Sequence, residues 1–158
     1  SHFAKVGGAY WAKYISYILT YGAYGDGTGR NAGICALGEA WGFHMGYFLT
    51  LQEFGASNRI ITQNGFENFI PNDRPYNPIY SNRNWIPKGL MNDIIDTNRD
   101  YIRAGYYDNV SGYTLRNIYN ALDGDVTSPQ AFRDRLLREN NNKDETDLRN
   151  LFEAYFWD

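Results

Sequence analysis

The sequence is poor in the residue types that most often do chemistry. Of its 158 residues only one is cysteine, Cys35, and only two are histidine, His2 and His44. One cysteine excludes an intrachain disulfide framework and a thiolate metal cage, and it leaves the redox compartment open. Two histidines are too few for a three-histidine centre, and no elbow-type serine motif stands beside them, which argues against Ser/His/Asp hydrolysis. There is no run of about 18 uninterrupted apolar residues, so no membrane-spanning helix is expected, and the first residues lack the basic, apolar, small order of a signal peptide. A basic stripe is missing too. The net charge is −3 and the Lys and Arg residues are scattered, which argues against nucleic acid as a partner.

What remains is the composition of a folding chain, 43% hydrophobic and 21% charged, of a length that suits one domain over residues 1–158 with one core. Aromatic residues are abundant, with 14 Tyr, 9 Phe and 4 Trp, and many of the tyrosines stand among Asn and Gly. Such rings pack while their hydroxyls stay wet, which suits a face that contacts peptide or glycan. It also suits an extracytoplasmic protein of the bacterial surface or periplasm.

Hydrophobic periodicity predicts an all-α fold of about six helices with little or no strand. Trp11, Tyr14, Ile15, Ile18, Leu19 and Tyr21 recur at helical spacing over Ala4–Tyr21, and Gly22 ends that helix. A glycine-rich loop, YGAYGDGTGRNAG, follows. The next helix, Ile34 to Phe54, is apolar on nearly every face and is expected to be the central buried one. Between Gly55 and Pro87 lie four of the five prolines among Asn and Gly, a long loop expected to cover something. Further helices are predicted from Pro87 or Lys88 to Tyr101, over Thr114–Leu122, from the Ser128-Pro129 cap through Leu137, and from Asp144 or Thr146 to Phe156.

Glu39 is the most informative residue, because it is the only charge between Cys35 and Gln52 in the most apolar helix. A bare carboxylate there costs several kcal/mol, about enough to demand a proton, a partner or a cation. Gly38, Gly42 and Gly46 flank it at every fourth position, each costing about 1 kcal/mol relative to alanine, which points to another backbone approaching along that seam. The plain alternative is an ion pair of Glu39 with Arg30 or Arg103 while the glycines admit bulky aromatics. His44 stands about 140° around the helix from Glu39, so the two cannot readily share one ion, and a satisfied core or boundary histidine is the simpler role. Cys35 reads as a small buried hydrophobe. The loop Asp26-Gly27-Thr28-Gly29-Arg30-Asn31 alternates oxygen donors but lacks EF-hand spacing and carries a basic residue, which disfavours calcium.

Three stretches, SHFAKVG…YW, YGDGTGRNAG and GEAWGFHMGYFLT, together resemble the region downstream of the HExxH helix in zincin-type, gluzincin-like zinc metallopeptidases of Bacteroidetes-type bacteria. The resemblance covers about the first 55 residues. It implies that Glu39 is the third zinc ligand, that two histidines and a general-base glutamate belong to an HExxH helix this chain does not contain, and that Ser1-His2-Phe3 falls just after the second of those histidines. His2, Trp41, His44 and Tyr47 are then candidates for the wall of the cleft. On this reading the chain is the C-terminal helical portion of a longer hydrolase, inactive alone, with zinc as the cofactor of the intact protein, peptide or protein as substrate, and its own N-terminal part as partner. No metal is expected in the chain by itself, and the seam vacated by the missing helix favours a homodimer. The rival expectation is a non-catalytic helical binding or scaffold domain of a surface protein that contacts glycan or protein.

Overall fold

The computed structural model describes residues 2–22, 24–25, 27–55, 85–99, 101–103 and 105–158, with side chains from Ala4 onward. Among them the fold is all-α, six helices with one small hairpin: α1 (His2–Tyr21), α2 (Ala32–Phe54), α3 (Leu90–Ile95), β1 (Tyr101–Arg103), β2 (Tyr106–Tyr107), α4 (Leu115–Ala121), α5 (Pro129–Glu139) and α6 (Glu145–Ala154). The long loop expected between Gly55 and Pro87 falls mostly on residues 56–84, outside the described residues. None of the described helices is long and apolar enough to cross a membrane.

The C-terminal helices pack with the first turns of α2 around one shared core. Thr114 caps α4 by accepting from the Asn117 amide while the Asn117 side chain accepts from the Thr114 amide, a reciprocal capping box. Ser128 accepts from the Ala131 amide at 3.1 Å, and Pro129 opens α5 where its missing N–H is not needed. At the end of α6, Phe156 takes a left-handed conformation so that the Trp157 amide reaches the Phe152 carbonyl at 2.8 Å, which turns the Trp157 ring back onto the core. Phe132, Leu136, Phe152 and Tyr155 are buried there, and the Tyr155 hydroxyl donates to Asp93 at 2.6 Å.

The third helix is shorter than its sequence suggests. It stops at Ile95 because the Asp96 carboxylate accepts from the Asn98 amide at 3.1 Å and from the Asn92 side chain at 2.9 Å, a local turn that competes with helical bonding. The helix expected to reach Tyr101 thus ends six residues early, and at Tyr101 the chain starts an antiparallel hairpin with Tyr106–Tyr107. Arg103 holds this hairpin to α6, stacking over the Phe156 ring at 4.2 Å and donating to the Glu153 carbonyl at 2.9 Å.

Helix α2 is central over its first four turns, where Ile34, Cys35, Ala36, Leu37 and Ala40 have no exposed surface. Its first turn meets the α5 cap so closely that a Cβ on Gly33 would lie 2.5 Å from the Thr127 carbonyl oxygen. Burial runs out after Tyr47, and Phe48, Leu49 and Phe54 are exposed. Helix α1 crosses α2 through Val6 and Tyr10, which bury against Ile34. It breaks at Gly7, whose φ of 78° and ψ of 168° are not helical. The ammonium of Lys5, ahead of that break, donates to the carbonyls of Tyr119 and Asn120 at the end of α4.

Candidate functional site

Two residues one turn apart on α1, Tyr10 and Tyr14, face two residues one turn apart on α2, Cys35 and Glu39. The Tyr14 hydroxyl donates a hydrogen bond to the Glu39 carboxylate. Its ring lies against Gly38, where an added Cβ would stand at 3.4 Å, in van der Waals contact. Burial, then the hydrogen bond and charge of Glu39, push the Tyr14 phenol well above its ordinary pKa, which keeps it a donor. Burial, with the Glu39 charge second, pushes the Cys35 thiol up to about 12, so it stays protonated and inert.

Glu39 is half-buried and forms no ion pair among the described residues. The pairing considered with Arg30 or Arg103 is not what the fold makes. Arg103 is engaged at the hairpin, and Arg30 lies on another cleft. Gly42 and Gly46 return to the Glu39 side of the helix, and each is exposed with no described atom within 4 Å of where its Cβ would be. The carboxylate thus sits at the inner edge of an open strip.

The other candidates lie elsewhere. His44 is buried on the far side of α2, tilted against Trp41 with ring centroids 6.3 Å apart. Neither of its ring nitrogens has a hydrogen-bond partner among the described residues, and burial lowers its pKa to about 4, so it is neutral. It does not meet Glu39; it is buried, as a core histidine would be, but has no hydrogen-bond partner among the described residues. Tyr47 is buried beyond it on the same helix. Trp41 walls a groove of about 770 Å³ with Met45 and Leu49 of α2 and Leu115, Arg116 and Tyr119 of α4. His2 begins α1, twelve residues before Tyr14, and its side chain lies outside the described residues.

No three His, Cys, Asp or Glu side chains among the described residues are grouped to hold a metal ion. A zinc ion could take Glu39 from them and would need its other ligands from outside them. Tyr14 is the functional partner that periodicity did not single out, since it read only as part of an apolar stripe. The available signal was chemical: a carboxylate in an apolar helix needs a donor, and a tyrosine-rich neighbouring helix can supply one. Comparison of the chain with protein-family models, with characterised proteins and with solved structures finds no match in any of the three.

Proposed function

We propose that this chain is the C-terminal helical portion of a zinc metallopeptidase, in which Glu39 is the third metal ligand and the HExxH residues are supplied by a helix preceding Ser1. The observation that carries the reading is the Glu39 carboxylate itself, unpaired with any described cation, aimed by the Tyr14 hydroxyl and bordering the open Gly42–Gly46 strip. A ligating carboxylate held by a neutral hydrogen-bond donor is the usual outer-shell arrangement of a metal site, since the donor fixes orientation without competing as a cation. Gly42 and Gly46, with no described atom near where their Cβ atoms would be, leave room for a neighbouring backbone. When bound, zinc would supply Lewis-acid polarisation of the scissile carbonyl and a water of lowered pKa. The role of this chain's own residues is narrower: Glu39 binds, Tyr14 orients, and the glycine strip accepts the incoming helix. Peptide or protein is the proposed substrate, and an extracytoplasmic location goes with it.

The test is peptidase activity on unstructured protein by a form in which the residues encoded before Ser1 are included. Activity that is lost in Glu39→Ala supports the reading. Full activity in that variant, or an upstream sequence with no HExxH, refutes it. The second reading, a non-catalytic binding domain, is favoured by the apolar groove between Trp41 and Tyr119, whose rings stand 6.1 Å apart. Saturable binding of a peptide or glycan abolished by Trp41→Ala, with no metal-dependent activity in the longer form, would select it.

A further inference from the structure

A second cleft lies on the opposite flank of α1, and it has the chemistry of an anion site. Lys13, Ser16 and Thr20 recur on α1 at spacings of three and four, which places them on one helix face. With Tyr21, Arg30 and Asn31 they line a cleft of about 230 Å³. Two cationic groups and two aliphatic hydroxyls therefore share one small depression. Among the described residues no carboxylate lines it, and neither Lys13 nor Arg30 forms an ion pair.

The glycine-rich loop fixes this geometry. The hydroxyl of Tyr17, which also lines the cleft, donates to the Tyr24 carbonyl at 3.0 Å and accepts from the Gly27 amide at 3.2 Å. The Trp85 indole donates to the Gly25 carbonyl at 3.1 Å. Gly29 lies so close to α1 that a Cβ there would stand 2.4 Å from the Tyr21 ring. The loop is thereby tied to α1 on both sides of its turn, and Arg30 and Asn31 are delivered to the same place relative to Lys13, Ser16 and Thr20.

We propose that this cleft binds a tetrahedral oxyanion of phosphate type, with the Arg30 guanidinium and Lys13 ammonium offsetting its charge and the Ser16 and Thr20 hydroxyls donating to its oxygens. Two cations match the charge of about −2 that a phosphate group carries near neutral pH, and the forked donors of arginine suit its oxygens. The small size and open mouth admit either a free phosphate ion or the phosphate of a monoester whose ester group stays in solvent. The assignment does not depend on the metallopeptidase reading.

The test is titration of the 158-residue chain with inorganic phosphate at low ionic strength and pH 7.5, followed by amide NMR shifts and calorimetry. The expected result is saturable binding that shifts the amides of Lys13, Ser16, Thr20 and Asn31. Lys13→Gln and Arg30→Gln should each weaken it by about tenfold or more, the loss expected for one charge-assisted hydrogen bond. Arg116→Gln, far along the other groove, should leave it unchanged. Gly29→Ala should weaken it while both cations are retained, because either the loop or the Tyr21 ring that lines the cleft must move. Glucose 6-phosphate distinguishes the sources: binding equal to that of phosphate indicates a monoester-accepting site, and weaker binding indicates the free ion. Absence of saturation at tens of millimolar phosphate overturns the proposal, as does binding indifferent to both Lys13→Gln and Arg30→Gln with the fold intact by circular dichroism.

Discussion

The α1–α2 pair is richer in apolar residues than the α3–α6 region, yet it leaves more of its large apolar side chains exposed. In the α3–α6 region, α4 and α5 are capped by Thr114 and Ser128, the Trp157 ring is folded back against Trp85, and Phe132, Leu136, Leu148 and Phe152 are sealed. In the α1–α2 pair, Ile15 and Leu19 of α1 remain 52% and 80% exposed, and Phe48, Leu49 and Phe54 of α2 are exposed as well. The contrast separates two uses of hydrophobic sequence: the C-terminal helices bury theirs in the core they share with the first turns of α2, and the rest of the α1–α2 pair presents it beside a carboxylate and a strip of bare glycine.

The sharpest way to break this comparison is stability. Phe152→Ala in the shared core should cost about 3–5 kcal/mol, because it empties a sealed site. A loss below about 1 kcal/mol in denaturant unfolding, within the range of surface substitutions, would mean that the core is not sealed there.

The buried His44 gives the next effect, with a sign fixed by its environment. Its pKa is lowered from 6.5 to about 4 on folding, so the unfolded chain takes up a proton first as pH falls. Stability contributed by the neutral ring is complete above pH 6.5. It falls by about 1.4 kcal/mol per pH unit towards pH 4, and then levels as the folded state also protonates. His44→Phe should flatten that slope, and an unchanged slope would assign the pH dependence to other groups.

Smaller effects follow at a cap and at the open face. Ser128→Ala should cost about 1 kcal/mol through loss of the bond to the Ala131 amide, measured by the shift in urea midpoint. Leu19→Ser should change monomer stability by less than about 0.5 kcal/mol yet reduce self-association, since the side chain is mostly exposed. If light scattering shows the same mass for wild type and Leu19→Ser, this face does not drive association.

The helical architecture was legible because the apolar spacing of α1, α2, α5 and α6 agrees with local start and stop signals: Gly22 after α1, the Ser128-Pro129 cap that opens α5, and the polar run after Glu139. The end of α3 was not, because the Asp96 turn diverts the backbone through side-chain hydrogen bonds that periodicity does not register. Glu39 stood out from its surroundings, but its partner did not, since Tyr14 is 25 residues away on another helix and the obvious partners for a carboxylate were arginines. The Lys13–Arg30 cleft was hidden for the same reason. It exists only once the glycine loop is tied down across α1.

Zinc content tests the central claim about Glu39 most directly. The form that includes the residues encoded before Ser1, dialysed against trace chelator, should retain one zinc per chain by elemental analysis. The 158-residue chain should retain none, Glu39→Gln in the longer form should lose the metal, and Tyr14→Phe should hold it about 10–100-fold more weakly. A longer form without zinc, or one whose zinc is undiminished in Glu39→Gln, would contradict the assignment of Glu39 as a ligand.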